Sequence, residues 1–516
     1  MAARASRKAA ARAVSPFRPR AFLALDLGTS HLGCLIADAQ GRVLASVARP
    51  WSFPPDPMGG SLARRLDPKA TFQALSALCR QALAQAELPG EAVAAVACTA
   101  QREGCVFLDD AGRERYAGPN LDLRAAFEGM ACDEEHGEEL YRSTGHLPSL
   151  LFAPARLRWL QDHQPLDHAA VRTILGLGDW LAFKLTGERR SDYTAACELG
   201  LLDVASLTWS EAALRHWGID RAILPPLGRA GQTLGAVTAK AARATGLAAG
   251  TPVALGCADT QAALLGLGVL APGQGAVVAG WSIPVQRVGE RPLIDSAGRT
   301  WSGVHPLAGR WVLESNAAEA GNSYRWAVDA FVGPGRYQDA EALAAAVPPG
   351  AGGAQALLGP PLFAAKDMGL GLGGLLFPVP LTAGDVTPGI LLRATLESIG
   401  YTVRANLQQL EAIGGPVTEL RLGGGLARSG LFTQVLAACL GRPLRVGSAD
   451  ASLLGAAALA AASVGAKRDL SAACRAMAGA SRLVEPDAIW AAAYQDGFAR
   501  WLAVAQGLRG LGEKVL

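Results

Sequence analysis

The chain has 516 residues, half of them apolar and 18% charged, which is too long for one hydrophobic core and suggests two large domains, with three as the alternative. Nine scattered cysteines without a CxxC pair, and seven histidines without HExxH, exclude a disulfide framework and those zinc motifs, and a reducing cytoplasm is expected. Arg4, Arg7, Lys8, Arg12, Arg18 and Arg20 exceed the whole formal charge of +3; the rest of the chain is mildly acidic, which excludes a nucleic-acid face.

Residues 1–20 are expected to be a disordered basic tail, with an organellar presequence as the alternative. Order is expected from Ala21. The apolar run 21–25 leads through Asp26 into the turn Gly28-Thr29-Ser30 and returns along 34–37. After a turn at 39–42, a third run, 43–47, completes an antiparallel meander. Asp67-Pro68 has the form of a helix start, and Phe72, Leu75, Leu78 and Leu83 supply the buried stripe. Residues 91–98 read as a strand ending at Gln101-Arg102-Glu103-Gly104, and 106–108 as another. The acidic stretch 133–139 reads as a solvated helix face.

The apolar strand 253–255 ends in Gly256-Cys257-Ala258-Asp259-Thr260, ahead of an apolar helix at 261–267. Residues 275–279, Gly280-Trp281-Ser282 and 284–288 then repeat the opening pattern of strand, G-x-S and strand, which suggests duplicated domains. Further on, strand 419–422, the loop Gly423-Gly424-Gly425 and helix 429–440 form an arrangement that lets backbone N–H groups approach a nucleotide. Residues 444–446 read as strand and 451–462 as a small-residue helix. The apolar run 453–464 is too short to span a bilayer and reads as a buried helix.

Several of these segments carry chemistry. Short Gly/Ser/Thr hairpins offer phosphate unobstructed backbone donors, and Asp26 beside the first could hold Mg²⁺ through water. No GxxxxGK[ST] is present, so this is not a P-loop site. The GxGxxG at 369–374 lacks a flanking strand and helix and reads as a loop. Asp259 suits two roles: a base accepting a hydroxyl proton, or the N-cap of the following helix. Arg102 with Glu103, and Asp122 with Arg124, are charged pairs that meet either a polar ligand or each other.

Taken in order, these motifs resemble the FGGY family of carbohydrate kinases over roughly residues 21–505. The resemblance rests on Asp26-Leu27-Gly28-Thr29-Ser30, Gln101-Arg102-Glu103-Gly104, Asn120-Leu121-Asp122-Leu123-Arg124, Asp179-Trp180-Leu181 through Glu188, Asp192-Tyr193, Trp209-Ser210, the Asp259 turn, Glu314-Ser315-Asn316 through Gly321, Gly424-Gly425 through Ser429, and Leu454-Gly455-Ala456-Ala457. It implies an α/β fold of two RNase H-like, actin-like ATPase domains with an interdomain cleft. Residues 21–262 would form the sugar-binding domain and 263–505 the ATP-binding domain, followed by a C-terminal tail at 506–516.

It implies ATP and Mg²⁺, a small sugar as partner, a cytoplasmic location, no membrane or nucleic acid, and it allows a homodimer. Asp259 would be the base. Gln101, Arg102, Glu103, Asp122, Asp259 and Thr260 would meet the sugar. Gly28, Thr29, Ser30, Gly280, Ser282, Gly424, Gly425 and Ser429 would meet nucleotide or phosphate, and Asp26 the metal. The acceptor implied is a pentulose such as xylulose or a related ketose or polyol. Arg102-Glu103 is similar to the glycerol and autoinducer-2 branches. Three departures stand out: Gly33 where the family carries a cation, Trp281 where it carries Thr, and a shortened stretch between Gly374 and Arg393. Losing that cation weakens phosphoryl-charge stabilisation, so a catalytically impaired sugar-binding or regulatory protein is the alternative class.

Overall fold

A computed structural model describes residues 21–366, 371–382 and 384–515, a mixed α/β chain built on two large sheets. The tail expected at 1–20 lies outside the described residues. The first sheet collects β1 (Ala21–Leu27), β2 (His31–Asp38), β3 (Val43–Pro50), β4 (Val93–Ala100), β5 (Thr233–Ala236) and β6 (Pro252–Ala258), in the order β5-β6-β4-β1-β2-β3. The β1–β2–β3 meander is antiparallel, whereas β1, β4 and β6 run parallel.

The second sheet collects β7 (Gln274–Val278), β8 (Pro284–Gly289), β9 (Trp301–Val304), β10 (Trp311–Asn316), β11 (Glu419–Gly423), β12 (Leu444–Val446) and β13 (Arg482–Val484), in the order β9-β10-β8-β7-β11-β12-β13. With β9 set aside, β10-β8-β7-β11-β12-β13 repeats β3-β2-β1-β4-β6-β5 strand for strand. The directions repeat as well: β7, β11 and β12 are parallel, and β8, β10 and β13 are antiparallel to their neighbours. The two G-x-S hairpins of the sequence are therefore equivalent corners of one repeated topology.

Helices cover both sheets. α1 (Pro68–Gln85) starts as its sequence requires, with the Asp67 carboxylate accepting from Ala70 N–H and Pro68 in the first turn; its buried Leu75, Leu78 and Leu83 lie in the core of the first sheet. α2 (Asp259–Leu267) leaves the end of β6. α3 (Pro388–Gly414) and α4 (Gly430–Leu440) cover the second sheet around Leu396, Phe432 and Leu436. α5 (Ala451–Ser463) follows β12 in sequence but packs on the first sheet, where Leu453, Leu454 and its alanines meet Phe22, Ala24, Ala97 and Ala254. The two halves are thus interleaved. α6 (Ala488–Val515) runs through 506–515, so the segment expected as a C-terminal tail continues a helix, tied by the burial of Trp501 and Ala505 earlier along it.

The apolar run 453–464 owes its character to this interleaving. α2 and α5 cross at backbone contact: a Cβ on Gly266 would stand 1.9 Å from the Ala451 carbonyl oxygen, and one on Gly455 1.8 Å from that of Ala262. Only glycine permits this approach. No helix among the described residues is long and apolar enough to cross a membrane. We expect Gly455→Ala to lower stability by about 1–3 kcal/mol, because overpacking outweighs the roughly 1 kcal/mol that alanine ordinarily contributes in a helix. An unchanged urea midpoint would show that the helices can separate freely.

Candidate active site

Three adjacent parallel strands end at one place. β1 carries Asp26 in register with Thr99 of β4, β4 runs into Gln101-Arg102-Glu103, and β6 runs into Asp259. Ligands of such sheets bind beyond the carboxyl ends of the strands. The same ends of the second sheet carry Gly280-Trp281-Ser282 after β7 and Gly424-Gly425 after β11, with Val278 paired to Gly423.

Asp259 is the first residue of α2. The capping position belongs to Ala258, which makes no side-chain cap, and the Asp259 carboxylate accepts from Thr260 N–H at 2.7 Å. The helix thus leaves this carboxylate available to a ligand instead of using it as its N-cap. The Thr194 hydroxyl accepts from Ala258 N–H at 2.9 Å and fixes the strand end in front of it. Burial raises the Asp259 pKa well above the carboxylate range. The Asp26 charge raises it further, and Arg102 opposes the rise.

Asp26 is pushed up to about 6, chiefly by burial, against a hydrogen bond from the Ser452 hydroxyl of α5 at 2.7 Å. Its Oδ1 is buried without a partner. The Asp26 charge raises the Asp259 pKa, and Asp26 keeps one oxygen orphaned, which suits a cation beside Asp26. Among the described residues no group of three or more metal-ligating side chains exists, so a Mg²⁺ here would draw its remaining ligands from phosphate and water.

The acceptor side is a buried charge network. Arg102 donates to both oxygens of Glu314 on β10, at 2.8 and 3.0 Å, and stands 3.5 Å from Glu198 and 3.7 Å from Glu103. Glu103 adopts φ +60°, a left-handed conformation that strains a non-glycine residue, and burial first of all lifts its pKa to about 7. Glu198 accepts from Gln261 at 2.6 Å, and Gln261 accepts from the Thr260 hydroxyl at 2.7 Å, a chain that ends beside Asp259. His146 Nδ1–H donates to the Thr144 carbonyl at 2.8 Å while Nε2 faces Glu198 at 3.5 Å; burial opposes a charged ring, but Cys197 and Glu198 beside it raise its pKa above the usual range.

Gln101 links the two loops, accepting from Asn120 N–H at 2.9 Å and donating to the Gly28 carbonyl at 3.4 Å. Asp122, expected at the sugar, has no exposed surface. Its oxygens accept from Tyr116, Arg124 and Arg64 N–H, which organise the loop from behind. On the phosphate side, the Gly28 N–H donates to the His31 carbonyl, and the Thr29 hydroxyl meets the Asn120 side chain at 3.0 Å. The Ser30 hydroxyl lies 3.0 Å from His31 Nδ1.

Gly424 has φ +90° against Ala279, and a Cβ on Gly425 would meet nothing within 4 Å, leaving open backbone at the loop. The Ser429 hydroxyl is engaged twice, accepting from Phe432 N–H as the cap of α4 and donating to Glu341. At Gly280-Trp281-Ser282, the Trp281 carbonyl accepts from Asn322 N–H. A Cβ on Gly33 would stand 3.1 Å from Leu453 Cδ1 of α5, so that side-chain tip would have to give a few tenths of an ångström to admit one. Arg325 and Arg428 are the cations acting on nearby His31.

Glu198, Gln261, His146 and Glu314 as charge partners escaped the sequence reading. The available signals were slight: Glu198 interrupts a run of small and apolar residues, and Gln261 is the polar residue after Asp259-Thr260 in an apolar helix.

Residues 21–266 match the N-terminal domain, and residues 275–464 the C-terminal domain, of the FGGY family of carbohydrate kinases. The autoinducer-2 kinase of Salmonella typhimurium is 32% identical over 513 residues, covering 95% of this chain and 94% of its own. The solved xylulose kinase from Rhodospirillum rubrum superposes with a TM-score of 0.80 at 27% identity, covering 96% of this chain and all of that one. The gluconate kinase from Lactobacillus acidophilus superposes at 0.83 with 21% identity over 97% of this chain and all of its own, a likeness of fold alone.

Proposed function

The chain belongs to the FGGY family of carbohydrate kinases, phosphotransferases with the actin-like ATPase fold that use ATP and an alcohol acceptor, and on that premise we propose that it phosphorylates a hydroxyl of a pentulose, related ketose or polyol with Asp259 as general base. The observation that carries the assignment is a buried carboxylate at the end of β6, not used as a helix cap, beside the Arg102–Glu103 loop and opposite Asp26. Arg102, Glu103 and Thr260 border the acceptor. Asp259 takes the proton of the hydroxyl that attacks the terminal phosphoryl group. Gly28, Thr29 and Ser30 on one side, and Gly280, Ser282, Gly424 and Gly425 on the other, would hold the nucleotide and its phosphates. Asp26 fits a bound Mg²⁺, which when present neutralises charge on the transferring group.

A screen for ADP release over D-xylulose, other ketoses, glycerol and 4,5-dihydroxy-2,3-pentanedione tests the proposal. Release that requires Mg²⁺ and one class of acceptor is expected. Glycine at position 33, which brings no cation to the phosphate side, supports a second reading, a sugar-binding protein without turnover. Sugar-dependent thermal stabilisation with no ADP release and no nucleotide binding would decide for it.

A further inference from the structure

The fold does not decide whether the acceptor is charged; the partners of Arg102 do. We propose that Glu314 is a specificity-determining residue that neutralises Arg102, so that the acceptor pocket takes uncharged polyhydroxyl compounds and rejects sugar acids. The inference rests on the kinase reading above.

Arg102 is the cation at the acceptor loop, and its charge is already matched. Glu314 takes two of its N–H groups in a fork at 2.8 and 3.0 Å, and Glu198 and Glu103 stand at 3.5 and 3.7 Å. Glu314 is itself held in place, accepting from Gln286 at 2.8 Å and from Asn316 at 3.2 Å. His146 Nε2 faces Glu198 at 3.5 Å. Arg156, behind the loop, has no exposed surface and donates to the backbone carbonyls of Glu103 and Asp122. The Arg102 guanidinium is thus spanned by the Glu314 fork and flanked by Glu198. A carboxylate arriving with the substrate would meet an Arg102 already matched by Glu314, with the Glu198 carboxylate beside it, in a poorly solvated pocket. A hydroxyl can accept the remaining Arg102 N–H or donate to a carboxylate. Because Glu314 stands on β10 of the second sheet and Arg102 follows β4 of the first, the discrimination requires both halves together.

The test measures kcat/KM for ADP release by the full-length protein at saturating MgATP. Glycerol, D-xylulose and 4,5-dihydroxy-2,3-pentanedione are the uncharged acceptors; D-glycerate and D-gluconate are the carboxylate-bearing ones. Wild type should favour its best uncharged acceptor at least 100-fold over either acid. Glu314→Gln should narrow that ratio tenfold or more, by lowering use of the uncharged acceptor and raising use of the acid, and Glu314→Asp should restore part of it. Wild-type turnover of an acid within threefold of the best uncharged acceptor overturns the inference, and this comparison stands even if the variants do not fold. A folded Glu314→Gln with an unchanged ratio overturns it as well. Absence of turnover with every acceptor overturns the kinase reading itself, and the inference with it.

Discussion

Asp259→Asn is expected to lower kcat roughly 10²–10⁴-fold while leaving acceptor binding within a fewfold of wild type. The amide keeps the shape and can still accept from Thr260 N–H, but it cannot take a proton. The proposed acceptor contacts from Arg102, Glu103 and Thr260 should be unaffected. The variant should also be more stable at neutral pH, because it removes a buried carboxylate whose ionisation is opposed by burial and by Asp26. Single-turnover phosphoryl transfer and acceptor-dependent thermal shifts separate the two effects. Turnover near wild type would remove Asp259 from the base's role, and loss of acceptor binding would make it a binding residue instead.

Asp26→Asn tests the other carboxylate. Burial lifts its folded pKa from 3.8 to about 6, so between those values the folded state holds a proton that the unfolded chain has released. Stability therefore falls as pH rises through that window, and the cost, about 3 kcal/mol at most, is complete above about pH 6. Asparagine carries no such cost. The variant should match wild type near pH 4 and exceed it by up to about 3 kcal/mol at pH 8, measured by urea unfolding without Mg²⁺. Activity should move the opposite way, with the apparent Mg²⁺ requirement rising roughly 10–100-fold. A variant no more stable at pH 8, or one with an unaltered Mg²⁺ requirement, would show that Asp26 is not held ionised for a metal.

Much of this architecture was legible in local pattern. The meander 21–47, the Asp67-Pro68 helix start, the second G-x-S hairpin and the glycine loop before Ser429 are decided by residues close in sequence, and the structure places each where the pattern put it. The strand-for-strand repeat of the two sheets extends that duplication to six strands. The charge network was not legible, because His146, Glu198, Gln261 and Glu314 meet only after separate loops, helices and strands have packed. Asp122 shows the reverse case: a loop carboxylate looks available in sequence, but Tyr116, Arg124 and the Arg64 backbone consume it. The neighbour of Gly33 was not legible either, because Leu453 of α5 is encoded more than 400 residues later.

The crossing of α2 and α5 bears on how this gene can vary. Every missense change reachable by one nucleotide from a glycine codon introduces a Cβ. At Gly266 and Gly455 that atom lands on a carbonyl oxygen of the opposite helix, backbone that cannot swing aside as a side chain would. A saturation library selected for stable protein should therefore be depleted at these two codons, with alanine the replacement that survives best. Exposed Gly187 and Gly218, where an added Cβ meets nothing, have only their left-handed backbone to constrain them and should admit asparagine.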